Sequence, residues 1–278
     1  MTHNTSSKLI RDKTLLTFNN VKFIMVKPSH PGNVGSTARA IKTMGFKNLV
    51  LVDPYIDNVT SHPDAVALAS GAIDVLQHST MVHSLQEALA DTTYSFALTA
   101  RARFSGPPPI NIRDAALYST DHICYGTNNK VGFVLGTERA GLSNQDTALC
   151  QRTCHIPANN DYSSLNVAQA AQLVAWELRY SIITALNQNL LPSTNGAPEK
   201  GSEPATNKAV QDLLVHLEEA LLATGFLDPE HPKKLMEHMI RIFTRCGLSR
   251  NETNMLRGMC SSMINPKPHN NHKNQSVN

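Results

Sequence analysis

Apolar positions along the chain fall into two patterns. Short runs rich in β-branched and aromatic residues recur at 21–26 (VKFIMV), 48–52 (NLVLV), 94–100, 131–135 (VGFVL) and 152–156, and they predict strands. Between them, residues 34–44, 64–72, 84–90 and 112–118 carry apolar positions three and four apart, the period of an amphipathic helix. Strands alternating with helices predict an α/β domain with a mainly parallel sheet, from residue 21 to 190. The stretch 165–190 reads as one long helix with two apolar stripes. Val167, Ala171, Val174, Leu178, Ile182 and Ala185 form the first; Leu173, Trp176 and Ile183 form the second, about 100° or more away. One stripe suffices to cover a sheet, so the second calls for another partner, either the C-terminal part of the chain or another subunit, and a subunit interface is the expectation.

Residues 192–207 hold three Pro, two Gly and no apolar residue larger than Ala, which predicts a linker at 191–207. Residues 208–264 follow with three helical patterns and no convincing strand, a small helical domain. On its second helix Leu235, Met239, Ile242 and Phe243 share one face, while Lys234, His238, Arg241 and Arg245 fall at i, i+4, i+7 and i+11 on another. The third opens with Ser249 and Glu252 at capping-box spacing. Residues 1–20 read as an N-terminal extension and 265–278 as a polar tail.

The chain has 278 residues, 41% hydrophobic, enough for one sizeable cored domain and a smaller companion. Charged residues make up 17%, and Asn, Gln, Ser and Thr fill the shortfall, which excludes a disordered polyelectrolyte. The longest apolar stretch, around Leu173 to Ile183, is broken by Glu177 and Arg179, and residues 1–20 lack an apolar run. Neither a membrane span nor a secretory signal is therefore expected, and the cytoplasm is the expected location. Five cysteines, an odd number, argue for reduced thiols. Cys150, Cys154 and His155 have no second pair of Cys or His at metal spacing, so no metal site is expected. A net charge of +3 is too weak to announce nucleic acid. Residues 233–257, however, hold six Lys or Arg against two Glu. On pattern alone a solvated helix face accounts for that basic stripe.

Three clusters could carry chemistry. The first strand runs into KPSHPGNVGSTARA, which has neither G-x-G-x-x-G nor G-x-x-x-x-G-K-[ST] and so disfavours dinucleotide and P-loop chemistry. Asn33 in this loop is a candidate helix cap. Arg39 lies on the polar side of the following helix with Ser36 and Thr43, where a solvated arginine accounts for it on spacing alone. In VGFVLGTERAGLSNQD a buried strand ends at Gly136, which lets backbone approach a ligand. Glu138 and Arg139 follow at the edge where open α/β sheets bind ligands. A structural turn using Gly136 and Gly141 is the alternative. In HIPANNDYSSLNVAQAA, Ser163, Ser164 and Asn166 offer hydroxyl, amide and helix N-terminal N–H groups, and alone they make an N-cap region.

In order, N-x-G-x-x-x-R (Asn33, Gly35, Arg39), G-x-E-x-x-G-L (Gly136, Glu138, Gly141, Leu142) and I-P followed by S-S-L-N-V (Ile156, Pro157, Ser163 to Val167) resemble the three motifs of the SpoU family of RNA ribose 2′-O-methyltransferases, within the SPOUT superfamily. The stretch LLATGFLDPEHPKKLMEHMIRIFTRCGLSRNETNMLRG resembles the C-terminal extension of its TrmJ-type branch, the bacterial tRNA (cytidine/uridine-2′-O-)-methyltransferases of class 2.1.1. The resemblance implies a trefoil-knotted α/β fold, an exception to the scarcity of knots, working as a homodimer with S-adenosylmethionine in the knot. It puts cofactor contacts on Thr99, Ala100, Arg101, Gly136, Ile156, Ser163, Ser164 and Leu165. The catalytic motif positions become Asn33, Arg39, Glu138, Ser164 and Asn166, with Arg39 as a clamp on phosphate and ribose. The expected substrate is cytidine or uridine at position 32 of the tRNA anticodon loop, with Lys234, His238, Arg241 and Arg245 facing the RNA. The rival readings are another tRNA site or rRNA, and a non-catalytic RNA-binding protein on the same fold. In two respects the chain departs from the branch: Thr137 stands where Arg often follows the Gly of the second motif, and the N-terminus has about twenty extra residues.

Overall fold

A computed structural model describes residues 17–100, 109–124, 129–187, 201–231 and 234–266. In chain order the elements are β1 (Val21–Val26), α1 (Pro31–Thr43), β2 (Asn48–Val52), α2 (Pro63–Ala69), a 3-10 turn (Ser70–Ala72), α3 (Ile73–Gln77), β3 (Thr80–Val82), α4 (Leu85–Leu89) and β4 (Tyr94–Leu98). Then come β5 (Ile110–Asn111), α5 (Ile112–Cys124), β6 (Val131–Leu135), α6 (Asn144–Ala148), β7 (Arg152–His155) and α7 (Val167–Asn187). Three helices close the described chain: α8 (Asn207–Ala223), α9 (Leu235–Arg245) and α10 (Arg250–Ile264).

The seven strands pair in the order β3-β2-β1-β6-β4-β7-β5, and every pairing is parallel. Parallel strands are covered on both faces, so their inner runs are apolar throughout rather than alternating. In β1, Val21, Phe23 and Met25 enter the core under α1, α5 and α7, while Ile24 and Val26 enter a second core with Leu85, Leu89 and Leu142. Phe23, Phe133 and Phe96 stand side by side across β1, β6 and β4, their rings 6.5 and 5.1 Å apart. The strands β3 and β5, which the hydrophobic pattern does not predict, are the outer strands of the sheet.

The first apolar stripe of α7 is buried over Ala171, Val174, Leu178 and Ile182, each at 0% exposure, while Ala185 at its end is half-buried. The second differs in membership. Trp176 is 52% exposed and Leu173 39%, but Ile183 leans onto the sheet core, and Tyr180 takes its place on the open face at 62%. Arg113 of α5 pairs with Glu177 at 3.0 Å beside this face.

Helices α8, α9 and α10 pack through Leu213, Leu214, Ala220 and Cys260, with Phe243 between the two clusters. Ile242, read as part of the packing face of α9, is half out in solvent, and Ile240 packs instead. The last residues assigned to the linker are also packed. Ala205 is buried, its N–H donating to Leu248 O, and Arg250 N–H donates to Glu203 O. Asn207, read as the end of the linker, opens α8 and fastens it to the sheet domain. Its Nδ2 donates to Thr92 Oγ1 at 2.7 Å and its Oδ1 accepts from Gln151 Nε2 at 2.6 Å. Gln151 Oε1 accepts in turn from Ser95 Oγ at 2.7 Å. All four side chains are buried, and buried amides with directional bonds admit one docking geometry, since any other leaves donors unpaired. Among the described residues no helix is long and apolar enough to cross a membrane, and no group of three His, Cys, Asp or Glu is placed to hold a metal. Cys150 and Cys154 lie in opposite cores, and burial pushes the Cys150 thiol up to about 12.

Candidate functional site

At the carboxyl ends of β4, β6 and β7 lies a pocket of about 420 Å³, where parallel α/β sheets bind ligands. Thr99 and Ala100 line it after β4, Gly136 to Leu142 after β6, Ile156 after β7, and Tyr162 to Val167 on the way into α7. Of the expected cofactor contacts, Thr99, Ala100, Gly136, Ile156, Ser163, Ser164 and Leu165 all line this pocket; Arg101 lies outside the described residues.

The loop after β6 is shaped by its glycines and by Thr137. Thr137 and Gly141 form an antiparallel bridge, Thr137 Oγ1 accepts from Ala140 N–H at 3.2 Å, and Gly141 turns with φ +68°. A Cβ on Gly136 would lie 2.2 Å from Gly141 C and 2.3 Å from Leu142 N. Gly136 therefore makes room for the backbone of its own loop, the structural turn with Gly141 that was the alternative reading of this stretch. Thr137 closes that turn, an internal task for the position where the branch often has Arg.

One hydrogen-bonded chain joins the three motif clusters. Glu138 accepts from the N–H groups of Ser29 and His30, from Ser29 Oγ at 2.9 Å and from Asn33 Nδ2 at 3.2 Å. Asn33 Oδ1 accepts from Asn166 Nδ2 at 2.9 Å, across 133 positions of sequence. Asn166 Oδ1 in turn accepts from the N–H groups of Ala168 and Gln169 and so caps α7. Asn33, a candidate helix cap from sequence, does not cap α1: His30 holds the cap position and Pro31 the first turn. Burial pushes the Glu138 carboxyl up, but the hydrogen bonds from Asn33 and Ser29 outweigh it, and the group sits below its ordinary value. A carboxyl lowered in the folded state contributes stability that is present above the ordinary value of about 4.5 and lost as pH falls through the folded one. At neutral pH Glu138 is thus an ionised acceptor that locks the β1–α1 loop, not a proton donor.

Arg39 lies elsewhere. It is six residues along α1 from Asn33, about 9 Å up the axis and about 120° around it. It is exposed, lines no part of the pocket, and forms no ion pair among the described residues. Gly35 of the same motif serves packing: a Cβ there would lie 2.1 Å from Ala65 O, so α2 rests on α1. Lys234, the residue that caps α9, and His238 and Arg245 on the helix are exposed and Arg241 is half-buried, none in an ion pair among the described residues. Sequence reasoning missed Ser29 and His30 as partners of Glu138, and Tyr162, 80% exposed at the pocket mouth. A backbone N–H partner leaves no signal in side-chain spacing.

Comparison with known proteins agrees with this geometry. Residues 20–176 match the SpoU rRNA Methylase family, and residues 208–274 match the C-terminal domain of tRNA methyltransferase TrmJ. The tRNA (cytidine/uridine-2′-O-)-methyltransferase TrmJ of Klebsiella pneumoniae is 40% identical over 88% of this chain and 96% of its own. Among solved structures, TrmJ from Z. mobilis aligns at TM-score 0.71 with 30% identity, covering 87% of this chain and 98% of that one. A probable methyltransferase from Bordetella pertussis is 59% identical at TM-score 0.58, over 60% of this chain and 99% of its own. The chain belongs to the SpoU methylase family and carries the C-terminal domain of its TrmJ branch.

Proposed function

We propose that the protein methylates the ribose 2′-hydroxyl of cytidine or uridine at position 32 of the tRNA anticodon loop, using S-adenosylmethionine. The observation that carries this reading is the hydrogen-bonded chain Glu138–Asn33–Asn166, which sets all three family motifs on the rim of one pocket. The pocket suits the cofactor: Leu98, Leu142 and Ile156 offer apolar wall to an adenine, Ser163 and Ser164 offer polar groups, and the Glu138 carboxylate suits a sulfonium. S-adenosylmethionine would supply an electrophilic methyl group. The chain must then align a 2′-hydroxyl with it, and positioning of this kind is worth roughly 7–11 kcal/mol. Asn33 and Asn166 present amides where a ribose hydroxyl would lie. Arg39, whose guanidinium offers a planar fork of donors, serves as a phosphate and ribose clamp.

The methyltransferase domain is read as residues 21–190, with the family knot in its last third. The helical domain, 208–264, is read as the tRNA-recognition part. The apolar face of Leu173, Trp176 and Tyr180 is assigned to a homodimer interface. Sedimentation is expected to give twice the 30.4 kDa of one chain, and a fully active monomer would refute the assignment. The protein is placed with its tRNA in the cytoplasm.

Incubation of the purified protein with labelled S-adenosylmethionine and tRNA, followed by mapping of 2′-O-methyl sites, tests the function. Label at position 32 is expected; label in rRNA or at another tRNA site selects the first rival, and no cofactor binding selects the second. Neutralising Lys234, Arg241 and Arg245 together should weaken tRNA binding and reduce the slope of log affinity against log salt by up to about 0.7–0.9 for each phosphate left ungripped. Wild-type affinity and slope would return the stripe to a solvated face.

A further inference from the structure

Helix α2 packs against the start of α1 at positions where the facing residues of α1 are glycines. A Cβ on Gly35 would strike Ala65 O, and one on Gly32 would lie 2.8 Å from Leu68 Cδ1. This approach forms a second notch, about 590 Å³ and open to solvent, beside the cofactor pocket. His30, Asn33 and Asn166 line both cavities, so the amide pair that joins the motifs is the wall between them. Asp64, Ala67 and Leu68 of α2 line the far side.

The inference rests on the reading of ribose methylation given above. If the 2′-oxygen is to meet a methyl group at the amide wall, the base attached one carbon away must leave the ribose close to that wall. The notch opens there. We propose that it receives the base of the target nucleotide, with Leu68 against the ring face and Asp64 and His30 at its polar edge. Leu68 is 48% exposed although Ala65 and Ala69 on the same helix are buried, which leaves an apolar side chain open to a ring. The Asp64 side chain is 72% exposed, and its neighbour at ion-pair distance is His62 at 3.7 Å. A carboxylate only accepts hydrogen bonds, so it matches the exocyclic amine of cytosine and opposes O4 of uracil. Imidazole both donates and accepts, so His30 suits either base. Asp64 is accordingly the residue that biases the enzyme toward cytidine, and His30 keeps uridine acceptable.

The test compares kcat/KM on two tRNA transcripts that differ only in C32 or U32, for the full chain and for Asp64→Asn and Leu68→Ala. Asp64→Asn keeps the shape and removes the charge, and the cytidine-to-uridine ratio should fall by about fivefold or more, the size of one base-edge contact. A ratio taken on one preparation cancels any loss of folded protein, so a merely structural role leaves it unmoved. Leu68→Ala should lower kcat/KM on both transcripts while cofactor affinity stays that of the wild type. An Asp64→Asn ratio that is unchanged or moves toward cytidine, or wild-type kcat/KM in Leu68→Ala, overturns the assignment. A wild-type protein that methylates neither transcript overturns the reading beneath it as well, so the two failures are distinguishable.

Discussion

Valine in place of Gly136 is expected to abolish S-adenosylmethionine binding while the sheet stays folded. The Cβ it introduces would sit 2.2 Å from Gly141 C and 2.3 Å from Leu142 N. These are backbone atoms, so no change of rotamer relieves the overlap and the loop itself must move. Overpacking of this kind costs about 1–3 kcal/mol or more. The β6–α6 loop supplies seven lining positions of the pocket, and of these only Leu142 enters the sheet core. The strain is therefore relieved by displacing the binding loop, and at ~3 kcal/mol affinity falls more than ~100-fold. Calorimetric titration reads the loss, and circular dichroism checks that the domain persists. Wild-type affinity in Gly136→Val would place the cofactor elsewhere.

Removal of the Arg39 side chain should have the opposite signature: cofactor affinity retained, turnover lost. Arg39 is exposed and outside the pocket, so Arg39→Ala should change folding stability by no more than about 0.5 kcal/mol. A hydrogen bond to a charged phosphate contributes about 1.5–3 kcal/mol, which corresponds to a loss of about 10- to 150-fold in single-turnover methylation. Arg39→Lys should recover little, because an ammonium does not reproduce a planar bidentate contact. Near-wild-type single-turnover rates in either variant would remove Arg39 from the reaction.

Much of the sheet was legible because its central strands are buried on both faces. Residues 21–26 and 131–135 are almost continuous apolar runs, and such runs admit few other assignments. The outer strands were not legible. Only Val82 of Thr80–Val82 is buried, and Ile110–Asn111 is two residues long, too short for any period to register. The motif positions could be marked one by one, but not the bond between Asn33 and Asn166, since a contact over 133 positions is created by the order of the strands. Gly35 was visible as a glycine, whereas its partner Ala65 O is a backbone atom with no mark in the sequence. Asn207 shows the same limit. In a run of Pro, Gly and Ser its composition says linker, and only the approach of Thr92 and Gln151 makes it a buried anchor.

That anchor changes what the connecting segment can do. A module held only by a flexible tether samples many distances, and its benefit is an effective concentration that varies with tether length. With Asn207 locked between Thr92 and Gln151, the span from the basic stripe of α9 to the rim at Asn33 and Asn166 is a property of the fold. On the proposed assignment of that stripe to RNA the fold would act as a ruler, accepting an RNA whose distance from the backbone at the stripe to its reactive ribose equals that span.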